Sequence, residues 1–246
     1  LTVDPTQNAW VGPIQTTVGS LTAPSVGDTS YPFTGGIAVN DYVFAFKQTA
    51  AYSIDAQQNV REVIWQWKDK PSAENFKHYA SGAGNLYYSI GPEIYAYDPV
   101  TGDNAPLNFS KQSGFSVREL LGLAADERFV YILAKVRVPT LRAADSTALI
   151  RAYRRPGDKW GLECLWEDTA GTLTYGTLTA APNGSATRLY WGYRDGTKTG
   201  SMLMDCVADW DASTSGSFAT SGSVYTSITR AHFPGFSKRH LYLGMD

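Results

Sequence analysis

The sequence is poor in charge and has no long apolar run. Charged residues make up 18% of its 246 residues, and the formal net charge is −2. No block of like charge occurs, so we expect neither a basic arm nor an acidic tail, and this balance predicts no nucleic-acid partner. Because no stretch approaches the roughly 18 apolar residues that cross a bilayer, we also expect no membrane insertion.

Cysteine is scarce as well. Cys164 and Cys206 are the two cysteines of the chain, too few for a disulfide framework or a structural zinc site. One disulfide between them and two free thiols both fit this count, and we expect two buried free thiols. No secretory signal is visible, but the chain opens on Leu1 and stops at "HLYLGMD" inside a predicted strand. We therefore expect a processed chain or a segment of a longer one.

Residues that carry metal or nucleophile chemistry are few and scattered. His78, His232 and His240 lie in different repeats without the spacing of metal ligands. The sequence also has no H-E-x-x-H, paired C-x-x-C or G-x-S-x-G motif, and no Ser-x-Asp-x-Gly-x-Thr-Trp box of the sialidase type. We therefore assign no catalytic, metal-binding or cofactor-binding residue and expect no cofactor.

Residues that favour strands and turns are abundant, among them 15 Tyr and 23 Gly. Short strands with alternating aromatics recur, and each follows a strand of small residues. The first four are followed by a second aromatic or apolar strand and a variable edge segment. The aromatic strands can be aligned on one equivalent position, and successive copies of that position are 44 to 59 residues apart. The copies are Val43, Tyr87, Tyr131, Tyr190 and Tyr242. The small residues of the preceding strands include Gly36, Ala38, Ala80, Gly82, Ala124 and Ala180. A four-stranded unit of this period predicts a β-propeller blade, with small residues where blades crowd around the axis.

We predict an all-β fold, a single β-propeller domain over residues 1–246. Its four-stranded antiparallel blades are expected at 34–70, 77–112, 116–168 and 174–220, with a fifth at 223–246 completed by 1–20. Closing the ring with strands from both termini removes a free sheet edge. The alternative is an excised part of a six- or seven-bladed propeller.

Two segments have helical features. "SVRELLGLAAD" (116–126) has helical spacing, but its place in the repeat favours the first strand of the third blade. "PSAENFKHY" (71–79) is compatible with one helical turn capped by Ser72.

Three features are candidates for ligand binding. Asp98, Asp103 and Asn104 offer the oxygen ligands that calcium prefers, but Asp55 follows the equivalent strand, which favours turn aspartates that accept backbone N–H groups. Tryptophans can stack on sugars, yet we favour packing between blades for Trp65, Trp67, Trp160, Trp166 and Trp191. The insertion from Arg137 to Thr147 is where the repeats differ, so we expect any real site there first.

Two stretches resemble known propeller families. "AYDPVTGD" (96–103) resembles the Ala-x-Asp-x-x-Thr-Gly strand end of quinoprotein-type repeats, without the Trp that normally follows. Residues 26–55 resemble a recurring segment of propeller proteins in tailed-phage virions. That match is carried by Val26, Gly27, Asp28, Pro32, Phe33, Thr34, Val43, Tyr52 and Asp55. The sequence departs from the virion pattern at Val43, where Tyr is usual, and at Ala50-Ala51, where a Gly-containing turn is usual.

The second resemblance implies a non-enzymatic structural or attachment module of a phage virion, in the tail, collar or fibre region. Its implied partners are other virion proteins and a host-surface glycan or receptor, within a larger assembly. Two alternatives stay open. One is a secreted propeller that binds or hydrolyses glycans, with acids converging from separate blades. The other is a protein-interaction propeller inside a cell.

Overall fold

The computed structural model describes residues 2–3, 9–10, 26–108, 116–137, 145–155, 159–168, 171–183, 186–196, 198–207 and 225–232. The regular elements in these residues are all β-strands, arranged in four four-stranded antiparallel sheets and one short two-stranded sheet. No helix in the described ranges is long and apolar enough to span a bilayer.

The strands follow one another along the chain as meanders. The short sheet consists of β1 (Thr2–Val3) and β2 (Ala9–Trp10). The first blade has β3 (Phe33–Val39), β4 (Tyr42–Lys47), β5 (Ala51–Ile54) and β6 (Val60–Ile64). The second has β7 (Asn75–Gly82), β8 (Asn85–Ile90), β9 (Glu93–Tyr97) and β10 (Asn104–Pro106). The third has β11 (Ser116–Ala125), β12 (Val130–Arg137), β13 (Ser146–Arg155) and β14 (Lys159–Asp168). The fourth has β15 (Thr174–Asn183), β16 (Ala186–Asp195), β17 (Lys198–Val207) and β18 (Tyr225–His232).

The first strands of the four sheets lie side by side. β3 contacts β7, β7 contacts β11, and β11 contacts β15, while each sheet extends outward from this row through its second, third and fourth strands. Consecutive four-stranded meanders whose first strands surround a common axis define a β-propeller. The predicted all-β propeller fold is therefore the fold of this chain.

The hydrophobic core lies between neighbouring blades. Adjacent residues of a strand point to opposite faces, so Tyr88 packs with Phe44 and Phe46 of the first blade, whereas Tyr87 packs with Ile132 of the third. A further cluster joins the third and fourth blades. The aromatic residues of the repeat thus serve both faces of each sheet, which explains why they recur.

The equivalent residues of the repeat have the same register in three blades. Ala38 pairs with Val43, Ala80 with Tyr87, and Ala124 with Tyr131, so a small residue of the first strand lies opposite the equivalent residue of the second. The fourth blade differs by one position: Tyr190 pairs with Thr179, and Ala180 pairs with Leu189.

The two segments with helical features are both non-helical. Residues 116–125 form the strand β11, as favoured from the repeat. Residues 71–74 form a turn before β7, in which the backbone N–H of Glu74 donates to Ser72 Oγ at 3.2 Å and that of Asn75 donates to the Ser72 carbonyl at 3.1 Å. Ser72 therefore caps a turn that leads directly into a strand.

The end of the fourth blade differs from the prediction. The segment containing β18 was expected to open a fifth blade, but β18 pairs with β17 and is the fourth strand of the fourth sheet. The small residues of "TSITRA" are typical of a first strand, which is why the sequence predicted a first strand here. Residues 233–246, which were expected to continue the fifth blade, lie outside the described ranges.

Candidate functional site

The Asp98 carboxylate and backbone are engaged in the hydrogen bonds of a turn. Its Oδ1 accepts the backbone N–H of Val100 at 2.8 Å, and its own N–H donates to the Asp103 carbonyl at 2.9 Å. Thr101 Oγ1 donates to Asp103 Oδ2 at 2.9 Å. The two carboxylates that could have met at a cation are thus engaged in local hydrogen bonds that close the β9–β10 connection.

Asp55 occupies the same position after β5 and acts in the same way. Its Oδ1 accepts the backbone N–H groups of Gln57 and Asn59 at 2.9 and 2.8 Å, and Asn59 Nδ2 donates to Oδ2 at 2.9 Å. The hydrogen bonds from Asn59 hold the pKa of Asp55 below its usual range. The interpretation of Asp55 and Asp98 as turn aspartates is confirmed. The described residues contain no group of three His, Cys, Asp or Glu side chains suited to a metal ion.

His78 lies on β7, partly buried against the third blade. Its backbone N–H donates to Ser89 Oγ at 3.1 Å. Burial, with a smaller contribution from the Lys77 charge, lowers the pKa of its imidazole, and a hydrogen bond with the Leu120 backbone opposes that change. His232 ends β18 at the edge of the fourth blade, and His240 is outside the described ranges, so within those ranges no second histidine joins His78.

Cys164 is a free thiol on the edge strand β14, and it is exposed rather than buried as expected. Its Sγ donates to the Trp166 carbonyl at 3.5 Å. Cys206 belongs to β17 of the next blade. The prediction of a free thiol is confirmed at Cys164, whereas its burial is wrong.

The insertion between β12 and β13 is described at its two ends. Arg137 Nε lies 2.7 Å from Asp145 Oδ1, so an ion pair closes the base of the loop. Ser146 Oγ donates to Glu167 Oε1 at 2.5 Å, which ties the start of β13 to β14. Residues 138–144, where we expected a site first, lie outside the described ranges.

Packing explains most of the tryptophans that we singled out. Trp191 is buried between the third and fourth blades, 5.4 Å from the ring of Trp166. Trp160 contacts Tyr87 edge-on at 6.1 Å, and Trp67 contacts Tyr95 edge-on at 5.4 Å. Trp65 is the exception, because 57% of its surface is exposed.

Trp65 lies in a turn that follows the edge strand β6. The Lys68 N–H donates to the Trp65 carbonyl at 3.1 Å, which fixes the turn. The next side chain, Gln66, is exposed, and its Oε1 accepts Asn104 Nδ2 from the second blade at 3.5 Å. Asn104 is held in turn by Tyr88, whose hydroxyl donates to Asn104 Oδ1 at 2.8 Å. Trp65, whose indole is exposed, thus directly precedes Gln66, one member of an amide pair that spans two blades. We call Trp65, Gln66 and Asn104 the rim platform.

Gln66 was not predicted as a site residue, and Asn104 was predicted only as a candidate oxygen ligand beside Asp98 and Asp103. Gln66 and Asn104 are 38 residues apart and have no motif in common, so only the packing of the two blades brings them together. Trp65 was named, but its exposure was not foreseen, because a Trp at the end of an edge strand can point to either side.

The segment that carries the resemblance to virion propellers forms one structural unit. Val26 is buried with Tyr52 in a cluster on the face of the first blade that is turned away from the second, and Phe33 and Val43 pack against that cluster. Lys47 Nζ donates to the Asp28 carbonyl at 2.6 Å and lies 5.0 Å above the Phe33 ring. Hydrogen bonds from Ser30, its backbone N–H first, hold the pKa of Asp28 below its usual range.

Polar contacts also join the third and fourth blades. Asp126 Oδ2 accepts the Tyr131 hydroxyl at 2.7 Å and, from the fourth blade, Thr187 Oγ1 at 2.6 Å. Its Oδ1 accepts the backbone N–H groups of Arg128 and Phe129, both at 2.8 Å. This carboxylate thus fixes its own hairpin and the neighbouring blade together.

Comparison with known proteins gives little beyond this geometry. No protein-family model matches the chain, and no curated protein is similar to it in sequence. Among solved structures, it is similar to the crystal structure of the N-terminal domain of Nup159, at 12% identity and a TM-score of 0.45. The match covers 82% of this chain and 47% of that one, so the chain spans less than half the length of that structure.

Proposed function

We propose that this propeller is a non-enzymatic structural or attachment module of a tailed-phage virion. It would form a rigid part of the tail, collar or fibre region and present its loops to other virion proteins or to the host surface. The low fraction of charged residues and the extensive aromatic packing between blades suit a scaffold that must persist outside a cell.

The observation that carries the proposal is the unit formed by the resembling residues. Val26, Tyr52, Phe33 and Val43 belong to one cluster, and Gly27 and Asp28 close it against Tyr52 and Lys47. Several residues of the match thus pack together on the face of the first blade that is turned away from the second.

The test is the composition of purified particles. Mass spectrometry of virions banded in a density gradient should find this chain at a fixed, integral copy number relative to the major tail protein. The matched control is a virion from a phage with a stop codon at the start of the gene, in which tail length or adsorption to host cells should change. A chain that is absent from banded particles contradicts the proposal.

A second candidate, a secreted propeller that binds glycans, is favoured by the exposed indole of Trp65 in the same turn as Gln66, whose amide contacts Asn104. Glycan hydrolysis by such a propeller would need a general acid and a second carboxylate, converging from separate blades. Release of reducing sugar from host polysaccharide, lost when one carboxylate is changed to its amide, would contradict a purely structural role.

A further inference from the structure

We propose that the rim platform, formed by Trp65, Gln66 and Asn104, binds a neutral saccharide through stacking on the indole and hydrogen bonds to the two amides. The inference deepens the attachment role proposed above, and it rests on that role only for the host surface as the source of the saccharide. Binding itself is a property of the isolated chain.

A single exposed tryptophan is not by itself evidence of a ligand site, because isolated apolar side chains are common on protein surfaces. The neighbouring amides make the difference. Asn104 Nδ2 reaches Gln66 Oε1 at 3.5 Å, a long hydrogen bond that a ligand can replace at small cost. The Gln66 amide nitrogen donates to no residue within the described ranges, so its N–H groups remain available to a hydroxyl. Aromatic side chains together with a small number of polar groups are the usual composition of a ligand site.

The charges around the platform favour a neutral ligand over an acidic one. Lys68 follows the platform in the same turn, and its Nζ lies 2.8 Å from Glu62 Oε1. Because that ion pair already compensates the Lys68 charge, the ammonium group is a weak partner for a ligand carboxylate. Saccharide rings offer both groups that the platform needs, since C–H groups pack on the indole face and hydroxyls accept from or donate to amides.

A series of packed rings links the turn of the platform to the second blade. Trp67 contacts Tyr95 at 5.4 Å, Tyr95 stacks on Tyr88 at 5.5 Å, and Tyr88 stacks on Phe76 at 5.0 Å. The Tyr88 hydroxyl at the same time orients Asn104. Because these rings fix the turn and the amide before any ligand arrives, little conformational entropy remains to be lost on binding.

The test is a titration of the ¹⁵N-labelled full chain with neutral oligosaccharides, maltoheptaose and chitotetraose, and with an oligogalacturonate as the acidic comparison. The indole N–H signal of Trp65 is assigned by its loss in Trp65→Phe. We expect a saturable shift of that signal with at least one neutral oligosaccharide and weaker binding of the acidic one. Trp65→Ala should lower the affinity about tenfold or more, and Gln66→Ala about three- to tenfold.

The matched control is Val100→Ala, because Val100 is 85% exposed on a turn of the second blade and should leave the affinity unchanged. Trp65→Phe keeps an aromatic plane and should retain part of the binding, which separates stacking from any loss of fold. No saturable shift with either neutral oligosaccharide, or equal affinities for Trp65→Ala and wild type, would overturn the inference. Either result leaves the copy number in virions untouched, so the attachment role and the saccharide site can fail separately.

Discussion

Gly27 lies so close to Tyr52 that a Cβ atom at position 27 would overlap the hydroxyl oxygen and Cζ of the tyrosine ring. The backbone of Gly27 also has φ +58°, a conformation that side chains other than glycine rarely adopt. Two independent constraints thus fix glycine in the segment that precedes the first blade.

We expect Gly27→Ala to lower the free energy of unfolding by about 2–4 kcal/mol, from left-handed backbone strain and overpacking against Tyr52. Gly91 provides the control, because its φ is +56° and a Cβ atom there would have no neighbouring atom within 4 Å. Gly91→Ala should therefore cost only the strain, about 1 kcal/mol. Urea unfolding measures both, and equal losses in the two variants would show that Tyr52 moves aside without cost.

Close approach of backbones near the axis gives a second glycine prediction. A Cβ atom at Gly82 would overlap the carbonyl oxygen of Asp126 in the next blade, which cannot move without shifting a whole hairpin. We expect Gly82→Ala to cost about 2–3 kcal/mol, mostly from overpacking. Gly176→Ala, where a Cβ atom would meet nothing within 4 Å, should change stability by less than about 1 kcal/mol. Similar urea midpoints for the two variants would contradict crowding at the axis.

The contact of Asp126 with Thr187 predicts energetic coupling between blades. The Asp126 carboxylate accepts four hydrogen bonds, so Asp126→Ala should lower the free energy of unfolding by about 2–3 kcal/mol. Asp98→Ala removes a carboxylate from an exposed turn and should cost about 1 kcal/mol or less.

A double-mutant cycle isolates the inter-blade part of that cost. Thr187 Oγ1 donates to Asp126 Oδ2 at 2.6 Å, so the two side chains should stabilise the fold jointly. We expect the double variant Asp126→Ala/Thr187→Val to lose less free energy of unfolding than the sum of the losses in the two single variants, by about 0.5 kcal/mol or more. Strict additivity would mean that the two blades are not coupled through this pair.

Much of the fold was predictable because each blade must meet the same packing requirements, and these requirements leave a local sequence pattern that repeats along the chain. A small residue such as Ala80 opposite an aromatic such as Tyr87 is needed wherever a first strand meets its second strand near the axis. The same reasoning identified Asp55 and Asp98 as turn residues from their shared position. It also correctly favoured strand over helix for β11, since place in the repeat outweighs helical spacing.

The errors arose where the answer depends on contacts between distant segments. β18 has the composition of a first strand, and only its pairing with β17 identifies it as an edge strand. The exposure of Cys164 follows from its place on the outermost strand of the third blade. The rim platform depends on the angle between two blades, which no local pattern encodes.

His78 provides a prediction about pH. Its Nε2 is buried without a partner among the described residues, and burial is the main reason that its pKa is lowered. The Lys77 charge acts in the same direction, whereas the Leu120 backbone, Glu74 and Glu119 oppose it. The folded protein therefore takes up a proton at His78 only at a lower pH than the unfolded chain does, near pH 6.5 in the latter.

The contribution of His78 to stability should consequently be constant above about pH 6.5 and fall as the pH drops below that value, because protons then favour the unfolded chain. Urea midpoints at pH 7.5 and pH 5.5 measure this, and the control is His78→Gln, which keeps polar atoms but does not titrate. Carboxylates contribute equally to both proteins, so the difference between them reports on position 78. We expect the wild type to lose more stability than His78→Gln between the two pH values. An equal loss would show that the imidazole takes up its proton in the folded state as easily as in the unfolded chain.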